Sequence, residues 1–124
     1  MKNIIILLPG PFLKRDYERF GVKILKKNFS VKVLDFTSWI NKSFWDNSFE
    51  NVYKCEEHVI ISCKKDFLNF ISKINSPIVV DAQFNTYNKR ANWIRKMLRK
   101  KNSLFIDLHL GFIPSPREKF GQIL

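Results

Sequence analysis

Short apolar runs alternate along this chain with longer amphipathic segments. The first run, residues 3–8, is apolar on both faces of a strand, which is typical of the middle of a parallel sheet covered by helices. The next segment, residues 13–28, has apolar side chains at helical spacing. Its inward stripe is predicted to consist of Leu13, Tyr17, Phe20 and Ile24. Gly21 lies within this helix, and we attribute it to close packing against the sheet.

The same alternation continues along the chain and predicts further strands and helices. Strands are expected at residues 3–8, 31–36, 58–62, 78–81 and 103–108. Helices are expected near residues 13–28, 38–44, 65–74 and 86–101, with Thr37 or Ser38 as the N-cap of the second. This order predicts an α/β fold, a three-layer, Rossmann-like domain over residues 1–113 with a five-stranded, mostly parallel sheet.

Right-handed crossovers leave two common strand orders for such a sheet, 3-2-1-4-5 and 2-1-3-4-5. We favour 3-2-1-4-5 because it places the turn after strand 1 beside the end of strand 4, where the strand order reverses. Ligands bind at such a reversal, outside the carboxyl ends of the strands. Residues 114–124 contain two prolines and are expected to form a linker or the start of a C-terminal part that the chain lacks.

The composition bounds the class of protein and of partner. With 124 residues, of which 45% are hydrophobic, the chain can bury the core of one domain. No apolar run approaches the roughly 20 residues that a membrane-spanning helix needs, so we expect a cytoplasmic protein. The formal net charge of +11 predicts an anionic partner: nucleic acid, an acidic membrane surface or a phosphorylated substrate.

Cys55 and Cys63 are the two cysteines, and His58 lies between them. Their spacing, C-x2-H-x4-C, matches no common zinc motif and lacks a fourth ligand. We therefore predict no metal site, and we predict no cofactor. Two thiols do not make a disulfide framework, so both are expected to be small apolar side chains beside a buried strand.

Polar side chains follow the fourth and fifth predicted strands. Asp81, Gln83 and Asn85 end the fourth strand, whereas Asp107 and His109 lie two residues apart at the end of the fifth and share a face. These strands are neighbours in the favoured order, so the polar groups would rim one crevice. His109 is the candidate general base, oriented by Asp107 or Asp81. The alternative is that each Asp caps the next turn or helix.

The turn after the first strand is Pro9-Gly10-Pro11. A phosphate-binding loop needs several glycines and free amide donors, and the two prolines remove donors, so no nucleotide is expected on this turn. We predict instead that Pro9, Gly10 and Pro11, together with Gln83 and Asn85, contact the substrate. The alternative is a rigid strand-to-helix turn without a binding role.

The helix predicted at residues 86–101 is strongly basic and carries no acidic residue. We predict that an anionic inner-membrane surface or a lipid-linked acceptor contacts Lys89, Arg90, Arg95, Lys96, Arg99 and Lys100. A nucleic acid backbone would also suit these charges, but no helix-turn-helix, aromatic RNP-type strand or zinc finger supports it. A solvated outer helix is the remaining alternative.

Four short stretches carry a family resemblance. They are NIIILLPGPF at residues 3–12, RDYERFG at 15–21, DAQ at 81–83 and DLHLGFIP at 107–114. These stretches resemble bacterial surface-polysaccharide biosynthesis proteins, in particular the N-terminal half of glycosyltransferases of the two-Rossmann-domain (GT-B-like) type. The resemblance covers most of the chain.

The resemblance implies an acceptor-binding domain for capsule or lipopolysaccharide assembly that is inactive alone, because the sugar donor lies mainly on a second, C-terminal domain. It also implies that a carboxylate or His at the cleft acts as base, at His109, Asp107 or Asp81, and that the protein is peripheral on the inner membrane. Two other functions stay open. One is a non-catalytic, flavodoxin-like module that docks a protein partner through the aromatic segment 36–53; the other, from charge alone, is nucleic-acid binding.

Overall fold

The computed structural model of the protein describes residues 1–8, 10–82 and 88–108. The strands are β1 (Lys2–Leu7), β2 (Phe29–Asp35), β3 (His58–Ile60), β4 (Ile78–Asp81) and β5 (Leu104–Asp107). The helices are α1 (Lys14–Arg19), α2 (Val22–Leu25), α3 (Thr37–Ile40), α4 (Lys42–Ser48), α5 (Lys64–Ile71) and α6 (Lys89–Arg99). A 3-10 turn, Phe49–Asn51, follows α4.

The strands form one sheet in the order β3-β2-β1-β4-β5, and the strand pairs are all parallel. This confirms the predicted α/β fold and the predicted order. β1 occupies the centre because it is apolar on both faces, and the residues from Ile4 to Leu8 are each at most 5% exposed.

Two hydrophobic cores cover the two faces of the sheet. On one face, Ile4 and Ile6 pack with Phe12 and Val22, which α1, α2 and the turn before them supply. The other face carries Ile5, Leu7 and Leu34, packed against residues of α5 and α6: Phe67, Ile71, Ala91, Ile94 and Leu98. The alternate residues of β1 thus belong to different cores, as the period of a strand requires, and the domain has three layers.

Two short helices, α1 and α2, replace the single helix predicted over residues 13–28. The break lies at Gly21, whose φ of +64° is in the left-handed region that favours glycine. A Cβ at Gly21 would meet no described atom within 4 Å, so close packing does not explain this glycine and that prediction is wrong. The break also changes which side chains face the sheet. Val22 is buried, whereas Ile24, which was predicted to face inward, is 69% exposed.

The predicted helix at residues 38–44 is likewise divided, into α3 and α4. Neither Thr37 nor Ser38 is the N-cap of α3; that position is Phe36, and the Asp35 carboxylate accepts the hydrogen bond from the Thr37 amide. Asn41 caps α4 by accepting a hydrogen bond from the Phe44 amide. The side chains that accept from the first amides of α3 and α4, Asp35 and Asn41, therefore lie two residues before and four residues after Thr37.

Helices α5 and α6 cover the sheet as their periodicity predicts. Phe67 and Ile71 of α5 are buried, and so are Ala91, Ile94 and Leu98 of α6. These three belong to the stripe that the spacing of Tyr87, Ala91, Ile94 and Leu98 predicts, and Tyr87 lies outside the described residues. Asn88 starts α6, since its side-chain oxygen accepts hydrogen bonds from the amides of Arg90 and Ala91. The helix therefore begins at Lys89, three residues later than its apolar pattern suggests.

Candidate functional site

The parallel register brings the carboxyl ends of three strands into one line. Leu7 at the end of β1 pairs with Asp81 at the end of β4, and Asp81 pairs with Asp107 at the end of β5. On its other side, Leu7 pairs with Leu34, which precedes the last residue of β2. The turn after β1 and the two predicted carboxylates therefore share one edge of the sheet, at the reversal of strand order.

The structure describes some of the residues predicted to form this site. Gly10 and Pro11 lie half-buried in the turn after β1, Asp81 is buried, and Asp107 is exposed at the end of an edge strand. The other predicted site residues, His109, Pro9, Gln83 and Asn85, lie outside the described residues. Of the two carboxylates expected to orient His109, Asp107 is the one that faces solvent.

The Asp81 carboxylate is held by Arg95 of α6. The Arg95 Nε atom donates to Oδ2 at 2.6 Å and Nη2 donates to Oδ1 at 3.3 Å. Both side chains are 8% exposed, and Arg95 also donates to the Asn92 side chain at 3.3 Å. A two-pronged pair of this kind is strong and directional, so it fixes α6 against the end of β4.

Arg95 had been grouped with the cations that would contact a membrane, and the structure places it inside the protein instead. Its position in the helix explains this. Ala91, Ile94, Arg95 and Leu98 follow the i, i+3, i+4, i+7 spacing of one helix face, so Arg95 lies within the apolar stripe. A cation at such a position needs a buried acidic partner, and Asp81 is that partner.

Asp35, which the sequence analysis did not single out, is a fully buried carboxylate at the end of β2. Its Oδ2 atom accepts hydrogen bonds from the Phe12 amide at 3.2 Å and from His58 Nε2 at 2.9 Å. Its Oδ1 atom accepts from the Thr37 amide at 3.0 Å. One side chain thus ties β2 to the turn after β1, to the start of α3 and to β3.

Two opposing effects act on the pKa of Asp35. Burial acts to raise it, but the hydrogen bonds from His58 and Thr37 outweigh burial, and the pKa lies below its ordinary value. The side chain is therefore a carboxylate, which can only accept hydrogen bonds, so His58 Nε2 carries the proton and donates it. The His58 ring also packs against Phe12, with 5.4 Å between ring centroids.

The Asp35–His58 pair has the composition of an acid–base dyad, but its surroundings close it off. The side chains of His58 and Asp35 are 5% and 0% exposed, and both Asp35 oxygens already accept hydrogen bonds from within the protein. The pair instead stabilises the turn after β1. The sequence offered one signal for it, since Asp35 continues the inward alternation of Val31 and Val33 and so had to be buried.

The cysteines lie in different environments. Cys55 packs against the core on the α1 side, and partial burial raises the pKa of its thiol. Cys63 is exposed, at the residue before α5. Among the described residues, no three side chains of His, Cys, Asp or Glu form a group that could hold a metal ion.

The remaining cations of α6, and Lys100 directly after it, are exposed. They are Lys89, Arg90, Lys96, Arg99 and Lys100. Arg90 donates to the Trp39 carbonyl oxygen at 3.0 Å, and the Arg99 guanidinium lies 4.7 Å from the centre of the Phe105 ring. Trp93 is half-buried against Trp39 and Phe67. The exposed surface of α6 is thus basic rather than aromatic.

No family model, curated protein or solved structure matches the chain. None of the helices in the described part of the chain is long and apolar enough to cross a membrane. A functional assignment therefore has to start from the sheet edge and from the charged surfaces.

Proposed function

We propose that this chain is the acceptor-side N-terminal domain of a glycosyltransferase in bacterial surface-polysaccharide biosynthesis, and that it works against an anionic membrane surface. The strand order supports this proposal, because parallel sheets bind ligands outside the carboxyl ends of their strands where the strand order reverses, here between β1 and β4. Asp107 provides an exposed carboxylate at that edge. The glycosyltransferase assignment itself comes from the family resemblance of residues 3–21, 81–83 and 107–114.

The basic outer surface of α6 is the observation that carries the membrane contact. The helix is anchored from its inner side by Ala91, Ile94 and Leu98 and by the Arg95–Asp81 pair. The exposed lysines Lys89, Lys96 and Lys100 make none of these anchoring contacts, so they are not needed to attach the helix to the sheet. No acidic residue interrupts them within Lys89–Arg99, so α6 itself contributes only positive charge to this face.

Electrostatic attraction is sufficient for such a contact. Each Lys or Arg near an anionic membrane surface contributes about 1 kcal/mol at moderate salt. Three cations of α6 would together contribute about 3 kcal/mol, which corresponds to more than a hundredfold in affinity. Because these charges are exposed, the attraction must weaken as salt is added.

Sedimentation with vesicles tests this proposal. We expect the protein to sediment with vesicles of phosphatidylcholine and phosphatidylglycerol, but not with phosphatidylcholine alone, and to be released by salt. The variant Lys89→Glu/Lys96→Glu/Lys100→Glu is expected to lose at least a hundredfold in affinity. The matched control is Lys14→Glu/Arg15→Glu/Lys23→Glu, whose exposed side chains belong to α1 and α2 on the opposite layer. It removes the same charge and should weaken binding by less than tenfold.

Equal losses in the two variants would contradict a specific membrane face on α6. A gel shift with generic DNA over the same salt series provides a second arm: DNA retention without vesicle binding would favour nucleic-acid binding instead. The chain alone is expected to transfer no sugar from a nucleotide sugar. Transfer by it would contradict the assignment of the donor site to a second domain.

A second candidate function is docking of a protein partner, and α4 is the observation that favours it. None of the residues of α4 is buried, and Phe44 within it and Phe49 directly after it are each 49% exposed. If the wild-type protein binds neither vesicles nor DNA, this docking module becomes the better assignment.

A further inference from the structure

A cavity of about 370 Å³ opens beside the first half of β2, away from the carboxyl edge of the sheet. It lies beside the part of β2 that β3 does not pair with, because the β2–β3 pairing begins only at Val33 and His58. Its walls come from the end of α2, from β2 and from the residues before β3. They are Lys26, Lys27, Phe29, Ser30, Val31, Lys32, Glu56 and Glu57. Its volume falls in the range of pockets that hold small molecules.

Glu57 is the distinctive residue of this cavity. The residue is 4% exposed, and its Oε1 atom lies 3.6 Å from the Lys26 ammonium. Its Oε2 atom is buried and has no hydrogen-bond partner among the described residues. A buried carboxylate oxygen without a donor is unfavourable, so this atom favours a ligand that supplies a hydroxyl or amino hydrogen.

The lysines of the cavity supply positively charged hydrogen-bond donors, whereas Glu57 supplies an acceptor. Glu57 is the main group that raises the pKa of Lys26, which is therefore firmly cationic. The Lys32 ammonium donates one long hydrogen bond, of 3.5 Å, to the Glu56 carbonyl oxygen, and an ammonium group has three donors. Lys27 adds another ammonium at the same wall. The three lysines exceed the two glutamates, so the cavity attracts an anion.

The open edge of β2 adds backbone groups. Val33 donates its amide hydrogen to the Glu57 carbonyl oxygen at 2.7 Å, which is the first bond of the pairing with β3. Residues two apart in a strand direct their backbone groups to the same side, so those of Val31 face the cavity beyond the start of β3. Phe29 contributes an apolar wall.

We propose that this cavity binds a small phosphorylated polyol, such as a sugar phosphate. The phosphate lies against the ammonium groups of Lys27 and Lys32, and a hydroxyl group of the polyol donates to Glu57 Oε2. A divalent cation does not suit the site, because three ammonium groups repel it. An anion without hydrogen-bond donors would leave the Glu57 oxygen without a partner. The ligand therefore needs both its phosphate group and a hydroxyl group.

Titration of the full chain with defined probes tests the site. The probes are glucose 6-phosphate, ribose 5-phosphate and glycerol 3-phosphate, with glucose and inorganic phosphate as the separated halves. We expect at least one phosphorylated polyol to shift the ¹H–¹⁵N signals of Val31, Lys32 and Glu57 in a saturable way. Its dissociation constant by calorimetry should be at least tenfold lower than that of either half.

Two variants and a control separate the contacts. Glu57→Gln should weaken the phosphorylated polyol at least tenfold, whereas Glu56→Gln, which changes an exposed glutamate of the same cavity, should stay within twofold of wild type. Lys32→Gln should weaken the phosphorylated polyol and leave glucose unchanged. Because Lys32 lines the cavity and is not fully buried, Lys32→Gln still tests the proposed binding site if Glu57→Gln fails to fold.

Three results would overturn the proposal. They are the absence of saturable shifts with all three phosphorylated polyols, equal affinity for inorganic phosphate alone, and wild-type affinity in Lys32→Gln. The site uses none of the α6 cations, so it stands or fails independently of the membrane contact proposed above.

Discussion

At the scale of single residues, Asp35 connects parts of the chain that are distant in sequence. Its donors are the amides of Phe12 and Thr37 and the ring of His58. Phe12 and His58 are each 23 residues away from it. Because the surroundings of the carboxylate are arranged as donors, the fold stabilises its ionised form, and the lowered pKa of Asp35 has the same cause.

The Asp35→Asn variant should show both the strength of this arrangement and its pH dependence. Asparagine has one acceptor oxygen, and its NH₂ group would face hydrogen-bond donors, so we expect a loss of about 3 kcal/mol in the free energy of unfolding at pH 7. The folded-state pKa of Asp35 lies below the ordinary value of 3.8. The contribution of the carboxylate is therefore fully present above that value and is lost as the pH falls through the folded-state pKa.

Urea denaturation between pH 3 and pH 7 measures this effect. The difference between wild type and Asp35→Asn should be constant above about pH 5 and should shrink as the pH falls below about 4. Asp46→Asn, at an exposed position of α4, is the control and should stay within about 0.5 kcal/mol of wild type. A difference that stays constant down to pH 3 would show that Asp35 contributes through shape rather than through charge.

At the scale of elements, the separation of α1 from α2 depends on one backbone conformation. Periodicity along residues 13–28 predicted a continuous helix, because side-chain spacing carries no information about a single positive φ. Gly21 adopts that conformation and re-aims the following turn, so Val22 replaces Ile24 as the buried residue. The glycine is thus required by its backbone angle and not by the space around it.

Gly21→Ala should therefore destabilise the protein by about 1 kcal/mol, the cost of a left-handed conformation with a Cβ. Gly21→Asn should cost less, since Asn tolerates this conformation better. Gly10→Ala is the matched control, because a Cβ at Gly10 also meets no described atom within 4 Å and its φ is not in the left-handed region. It should change the free energy of unfolding by less than about 0.5 kcal/mol. Equal effects of the two alanine substitutions in urea denaturation would refute this account.

At the scale of the whole molecule, the order of the strands could be predicted because few rules decide it. A first strand that is apolar on both faces belongs at the centre, and right-handed crossovers restrict the positions of the others. The same rules bring Asp81 and Asp107 to one edge. They could not reveal that Arg95 holds Asp81, or that Asp35 meets His58, because these pairs depend on side-chain positions between distant segments.

The position of each strand in the sheet also predicts how the domain opens. β1 is paired on both sides and its residues from Ile4 to Leu7 are buried, whereas β5 is at the edge, with Leu104 62% and Ile106 45% exposed. The amides of Leu104 and Leu108 donate to β4, so by the alternation of a strand the Ile106 amide faces β4 as well. Native-state hydrogen exchange should therefore report global unfolding at the β1 amides of Ile5 and Leu7, and local opening at Ile106. We expect the free energy of opening at Ile106 to be lower by at least about 2 kcal/mol.

Gly21→Ala provides an internal check on this assignment. If the β1 amides exchange only through global unfolding, the variant should lower their free energy of opening by the same amount that it lowers the stability measured in urea. The free energy of opening at the Ile106 amide should stay unchanged, because its local opening does not involve α1 or α2. Equal protection of the two strands, or an equal response to the variant, would show that β5 separates from the sheet only when the whole domain unfolds.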